Sequence, residues 1–317
     1  MYRIFDFSLA SDIPLPELPE TGDAGSEINI KRGQGDINPG KQPEWIHDWK
    51  DSVGEVCIRY GRSGNDFQLR FPGIVDFLIS STGDTIQYFP VENVPEEMVR
   101  HMLLDQVIPR LASHKGRLVV HASAVVHDGK TIIFLGDTGS GKSTLAAGFC
   151  MQDYDILTDD CILLSPESDG IMCIPCYAGI RLRNDSYKAV VNNDRHPGNI
   201  SYRADKQRLI LHDTKTAQQI YAVPLAAVFV LNDETRPEQD DRISVVPVTG
   251  AIAAMDIIRQ SFVLDVHDKK NTGKMFAIAT GIANSGMQIY RLEYPRDFKM
   301  LYKVQEAILM TVNKEQD

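Results

Sequence analysis

Residues 136–144 read GDTGSGKST, with Ile132, Ile133, Phe134 and Leu135 before them and Leu145, Ala146 and Ala147 after. A strand-like run, a glycine-rich turn and a helix-like run in that order give G-x-x-x-x-G-K-[ST] in the setting that a phosphate-binding loop needs. Gly136, Gly139 and Gly141 let backbone N–H groups turn inward around an anion, and the positive end of the following helix points at the same spot. Asp137, Thr138 and Ser140 fill the loop between the glycines, and Thr144 closes the motif. Lys142 offers a full charge to β- and γ-phosphates, and the Ser143 hydroxyl is placed to ligate Mg2+. The competing reading is a Gly/Ser-rich turn before an ordinary helix; the strand, the helix and Lys142 together weigh against it.

At 317 residues the chain exceeds the usual size of a single core, so two domains or one elaborated domain are expected. Its 43% hydrophobic content is ordinary for a globular protein. No apolar run approaches the roughly 20 residues that span a bilayer, and the opening MYRIFDFSLASDIPLPELPE lacks the basic-then-apolar layout of a signal peptide. Five scattered cysteines suit a reducing compartment, so a cytoplasmic protein without a membrane partner is expected. A net charge of -10 argues against nucleic acid. The window 181–215 runs against that trend: Arg181, Arg183, Lys188, Arg195, Arg203, Lys206, Arg208 and Lys215 outnumber Asp185, Asp194, Asp205 and Asp213. That excess suits either nucleotide phosphates or a solvated surface.

Upstream of the loop, 118–126 and 131–135 are strand-like, and Asp128-Gly129 between them is a strong signal for a two-residue hairpin turn. That register sets His121 opposite Gly136, beside the mouth of the loop; a lone histidine in an apolar strand is otherwise an ordinary core residue. Downstream, 156–164 reads as another strand, carrying Thr158, Asp159 and Asp160. Adjacent carboxylates in an apolar strand need a metal, a hydrogen bond or a reaction. Alternation sends the two to opposite faces, so at most one serves easily as a general base.

Elsewhere the first 95 residues read as short strands, at 2–9, 27–31, 56–59, 67–71, 75–80 and 85–89, with a loop at 33–43. Trp45 and Trp49 are spaced to share one face of a short helix. A helix is expected from 95 to about 114, and later elements at 222–231 (strand), 250–258 and 272–283 (helices), 287–293 (strand) and 298–312 (helix). Cys173 and Cys176 read as two buried thiols rather than half a zinc site, and the polar run beyond Val190 as a mobile loop.

The histidine in VVHASAV, the GDTGSGKST loop and the apolar strand ending in TDD together resemble the catalytic domain of bacterial HPr kinase/phosphorylase and its shorter relatives, which include kinases found with lasso-peptide biosynthesis. The resemblance is specific over about 118–164; the segments FSLASDIPLPELP, VPLAAVFVL and RLEYPRDF look like the shorter relatives. It implies a fold akin to phosphoenolpyruvate carboxykinase, Asp159 as the base that deprotonates an acceptor serine, and His121 assisting; strand alternation then leaves Asp160 to the other face, on the metal side with Ser143. The family's E-[IV]-R-G segment and its later Arg-bearing loop have no counterpart here, which speaks against the phosphorylase half-reaction and against HPr as the substrate; Asp185, in RLRND, is the candidate replacement metal ligand.

The fold class expected is therefore α/β: a P-loop kinase core with a mixed sheet at 96–317, preceded by a β-rich interaction domain at 1–95. The function expected is transfer of the ATP γ-phosphate, with Mg2+, to a serine of a peptide or small protein, a lasso-peptide precursor among the candidates; homo-oligomerisation is left open. A kinase of a small hydroxylated metabolite and a non-kinase ATPase or nucleotide sensor are the alternatives. No LSGGQ-like signature or N-K-x-D motif points to a transporter ATPase or a GTPase.

Overall fold

Phe67, Leu69 and Phe71, then Val75, Phe77 and Ile79, are buried at every second position, the period of a pleated strand with one face on a core. These positions lie in a computed structural model that describes residues 1–22, 25–35, 37, 42–51, 53–177, 179–183, 186–187, 200–203, 206–209, 221–231 and 241–314. Asp185 and the side chains of the other charged residues in the window 181–215 lie outside that description, as do 190–199 of the run read as a mobile loop, whereas 200–203 and 206–207 of that run lie in strands. The chain forms two compact units, Met1–Arg117 with Val263–Thr272, and Leu118–Phe262 with Gly273–Asp317.

The first unit carries β1 (Tyr2–Ile4), β2 (Phe7–Ser11), β3 (Ile28–Arg32), β4 (Glu44–Lys50), β5 (Val56–Ser63), β6 (Asp66–Phe71), β7 (Val75–Ile79) and β8 (Thr85–Pro90). They form one eight-stranded sheet in the order β1-β2-β3-β8-β7-β6-β5-β4. Two sequence expectations change here. The single strand at 2–9 is broken at Phe5, whose φ of 52° turns the chain between β1 and β2. The short helix around Trp45 and Trp49 is instead β4, because antiparallel pairing with β5 overrides the helical spacing; the guanidiniums of Arg59 and Arg70 lie over the Trp45 ring at 5.6 and 4.8 Å. The helical stretch expected at 95–114 forms as α1 (Glu96–Met102), a wide π-type turn (Leu103–Val107) and α2 (Ile108–His114). It packs within this first unit: the His114 ring meets Phe67 at 4.7 Å, Arg110 lies 4.8 Å over Trp49, and Arg100 pairs with Glu17 at 3.1 Å.

The second unit holds β9 (Leu118–Val120), β10 (Ala122–His127), β11 (Lys130–Leu135), α3 (Lys142–Cys150), β12 (Asp155–Thr158), β13 (Ile162–Glu167), β14 (Gly170–Pro175), β15 (Ile180–Arg183), β16 (Ile200–Arg203), β17 (Lys206–Leu209), β18 (Val223–Leu231), β19 (Ser244–Pro247), α4 (Gly250–Arg259), α5 (Lys269–Asn284, whose first turn, to Thr272, counts with the first unit), β20 (Gln288–Glu293) and α6 (Leu301–Asn313). The main sheet runs β12-β10-β11-β18-β14-β13-β9, with β20 added beside β18 and β19 beside β20; β15, β17 and β16 form a small sheet of their own. Pairing is parallel from β11 to β18 and from β18 to β20, and antiparallel elsewhere, so this is a mixed α/β arrangement.

Asp128 and Gly129, at φ of 49° and 73°, make the left-handed turn that the Asp-Gly pair favours, and β10 and β11 pair from His127↔Lys130 to Ala122↔Leu135. The expected strand 118–126 nevertheless breaks at His121. Its first part, β9, pairs with β13, and the His121 N–H donates to the Gln260 carbonyl at 2.7 Å, so no ladder sets His121 opposite Gly136. The strand expected at 156–164 breaks too, between β12 and β13, where Asp160 takes a φ of 74°. Strand alternation therefore does not govern Asp159 and Asp160. Cys173 and Cys176 are buried free thiols, and burial pushes Cys173 up to about 12.

The apolar core of this unit is built around α3. Leu145, Ala146 and Phe149 pack with Phe134, Phe229 and Ile156, and Val304, Ile308 and Val312 of α6 join the same cluster. Gly148 permits this closeness, since a Cβ there would meet the Leu301 and Gln305 side chains at 2.6 Å. Among the described residues no helix is long and apolar enough to cross a membrane.

Candidate functional site

Strand β11 delivers the chain at Leu135 and α3 takes it up at Lys142, so 136–141 form a turn between a buried strand and a buried helix. The turn depends on glycine at two places. Gly136 has a φ of 147°, and a Cβ there would lie 2.7 Å from Ser140 Oγ and 3.0 Å from the Leu231 carbonyl oxygen. Gly141, at φ 94°, is the left-handed N-cap of α3, and its Cβ would come within 3.2 Å of the Tyr294 hydroxyl.

Lys142 folds back over this turn. Its Nζ donates to the Gly136 carbonyl at 2.6 Å and the Asp137 carbonyl at 3.1 Å, and the residue is 6% exposed. Asp137, Thr138 and Gly139 form the exposed crest. Asp137 Oδ1 accepts from Gln260 Nε2 at 2.9 Å, and the Gly139 carbonyl accepts from Arg296 Nη1 at 3.0 Å. The Ser140 hydroxyl is buried and has no hydrogen-bond partner among the described residues. Thr144 Oγ1 donates to Ser186 Oγ at 3.1 Å.

The carboxylate that meets this turn is Asp159. Pairing of Ala124 with Thr158 across β10 and β12 carries the next residue, Asp159, past Ser123. Asp159 is 3% exposed, and its Oδ1 accepts from Ser143 Oγ at 3.0 Å and also from Ser123 Oγ. Thr158 Oγ1 lies within donating distance of the carbonyls of Cys161 (3.1 Å) and Tyr177 (3.2 Å), and its one proton secures the bend that follows through either of them. Asp160 is half-buried beside it, in a left-handed conformation that aspartate tolerates. His121 is also half-buried, with its ring edge-on to Phe262 at 6.3 Å. Gln260 links it to the crest, with its carbonyl on the His121 N–H and its amide on Asp137.

The geometry thus brings Lys142, Ser143 and Asp159 to one place and leaves His121 joined to it through Gln260. Among the described residues no three His, Cys, Asp or Glu side chains converge as a metal cluster. The oxygen donors that do converge are Ser143 and Asp159, hard ligands of the kind Mg2+ takes.

Sequence reasoning missed Ser123, Gln260, Tyr294 and Arg296. Ser123 was visible as the next same-face position after His121, but only the β10–β12 pairing puts it against Asp159. The other three approach the turn from more than a hundred residues away in the chain, with no local signal. Burial holds the Tyr294 hydroxyl up at about 12, against the lowering pull of Arg296, so it stays a neutral hydrogen-bonding group.

No protein-family model matches this chain, and no curated protein matches it. Among solved structures it is similar to the Hpr(Ser) kinase/phosphatase from Coxiella burnetii, with a TM-score of 0.32 and 11% identity over 62% of this chain and 98% of that chain. A likeness of that size leaves the site to be argued from its own geometry.

Proposed function

We propose that the second unit binds ATP at residues 136–144 and transfers its γ-phosphate to a serine hydroxyl of a peptide or small protein in the cytoplasm. The observation that carries this reading is the convergence of Lys142, Ser143 and Asp159 on a glycine-dependent turn at the head of α3. The glycines leave room for phosphate against the backbone, and the head of α3 contributes its partial positive charge. Lys142 supplies the cation by leaving the Gly136 and Asp137 carbonyls for phosphate oxygens. Ser143 and Asp159 are the donors that would hold Mg2+, whose charge offsets that of the β- and γ-phosphates when it is bound. Catalysis then rests on orientation and charge neutralisation.

The contact between Asp159 and Ser143 favours the metal side for Asp159 over the base role that the resemblance implies. Its Oδ1 already accepts two hydroxyl protons, so the oxygen that faces the turn is engaged by Ser143 and Ser123. Proton acceptance falls to half-buried Asp160, the adjoining carboxylate, with His121 joined to the turn through Gln260. Incubation with γ-labelled ATP and serine-bearing peptides, followed by mass spectrometry, tests the activity. Labelled phosphoserine is the expected product; ATP binding without transfer to any peptide, metabolite or water would reduce the site to a nucleotide sensor.

A further inference from the structure

The two cations at the turn share one resting arrangement. Lys142 Nζ sits on the Gly136 and Asp137 carbonyls, and Arg296 Nη1 sits on the Gly139 carbonyl. When the N–H groups of such a turn face inward, its carbonyls face outward and attract donors. A neutral carbonyl is a weaker partner for a guanidinium than a phosphate, which matches its planar fork in two bonds at once.

Arg296 is also held in place by its own segment. Tyr294, two residues earlier, reaches the turn with its hydroxyl 3.2 Å from where a Gly141 Cβ would stand, and the Asp297 carboxylate accepts the Lys299 N–H at 2.9 Å at the start of the short helix leading into α6. The stretch between β20 and α6 therefore lies along the turn from Gly139 to Gly141. Its one guanidinium is exposed at the crest, where an incoming ligand arrives first.

We propose, on the phosphate-site reading above, that the 294–296 segment is the second wall of the nucleotide site, and that Arg296 exchanges the Gly139 carbonyl for the terminal phosphate of the bound nucleotide. Arg296 thereby makes the site count phosphates. Tyr294 is the neutral buttress that holds the segment against Gly141.

The test is titration of the full chain with ATP, ADP and AMP, for the wild type, Arg296→Gln and Arg296→Lys. Loss of a hydrogen bond to a charged group predicts a fall in ATP affinity of about tenfold to about a hundredfold in the Gln variant. A smaller fall is expected for ADP and none for AMP, with partial recovery of ATP affinity in the Lys variant. Melting curves that match the wild type keep a folding defect from imitating this pattern. Equal losses for all three nucleotides, or none, overturn the role of Arg296 and leave the turn as the phosphate site. Absence of ATP and ADP binding by the wild type overturns the phosphate-site reading itself.

Discussion

Replacing Lys142 with methionine keeps the aliphatic stem inside α3 and removes only the charge. In the structure that charge is already engaged, since Nζ donates to the Gly136 and Asp137 carbonyls at 2.6 and 3.1 Å. A unit charge about 4 Å from a phosphate charge, at an effective dielectric of about 20, is attracted by about 4 kcal/mol. Against this stands the loss of the carbonyl contacts, of which the shorter is a charged hydrogen bond worth about 1.5–3 kcal/mol. The net gain from Lys142 on binding is then about 1–2.5 kcal/mol, and Lys142→Met should weaken ATP affinity by between about fivefold and about 70-fold. Calorimetric titration with a non-hydrolysable ATP analogue measures this directly. A variant that binds within twofold of the wild type while remaining folded would refute the claim that Lys142 leaves its carbonyls for phosphate. A loss beyond about a thousandfold would show that the resting contacts offset almost nothing.

Asp159→Asn preserves shape and hydrogen bonding to Ser143 and Ser123, so it should raise the Mg2+ concentration needed for half-maximal turnover, whereas Asp160→Asn should lower kcat by about 10² to 10⁴-fold with nucleotide binding intact; the opposite pattern would return Asp159 to the base role. Gly136→Ala forces a Cβ against the Leu231 carbonyl at a φ of 147°, and a strained backbone position costs about 1–3 kcal/mol, so hydrogen exchange in β11 and α3 should accelerate; unchanged exchange would show that the turn relaxes freely. In the first unit, burial raises the Asp265 carboxyl, but the His267 N–H and the Arg62 guanidinium at 2.6 Å outweigh it and hold it below the usual range. That contribution is present above the unfolded value of about 3.9 and is lost as pH falls through the lower folded value, so Asp265→Asn should flatten the acid end of this unit's stability profile; an unaltered profile counts against the pair.

The parts legible in the sequence were those with local causes. Glycines and Lys142 at fixed spacing placed the turn between β11 and α3, and Asp128-Gly129 fixed the β10–β11 register. Long-range pairing took the rest out of reach. Residues 118–126 are apolar but for His121 and Ser123, and nothing local tells that 118–120 join β13 while 122–127 join β11 and β12. The same holds for Asp159, whose neighbours come from β10 and α3, and for the WIHDW stretch, where helical and strand spacing coincide at four residues.

The packing of α3 against α6 has a consequence for biosynthesis. Val304, Ile308 and Val312 cover the same core that Leu145 and Phe149 enter, yet they are translated some 150 residues later. A chain emerging from the ribosome therefore carries the 136–144 turn on a helix whose apolar cover is incomplete until α6 arrives. Such late closure slows folding and prolongs exposure of apolar surface. Competence to hold a nucleotide is acquired only near the end of translation, and nascent chains arrested before residue 301 should be chaperone clients even though the whole motif has been synthesised.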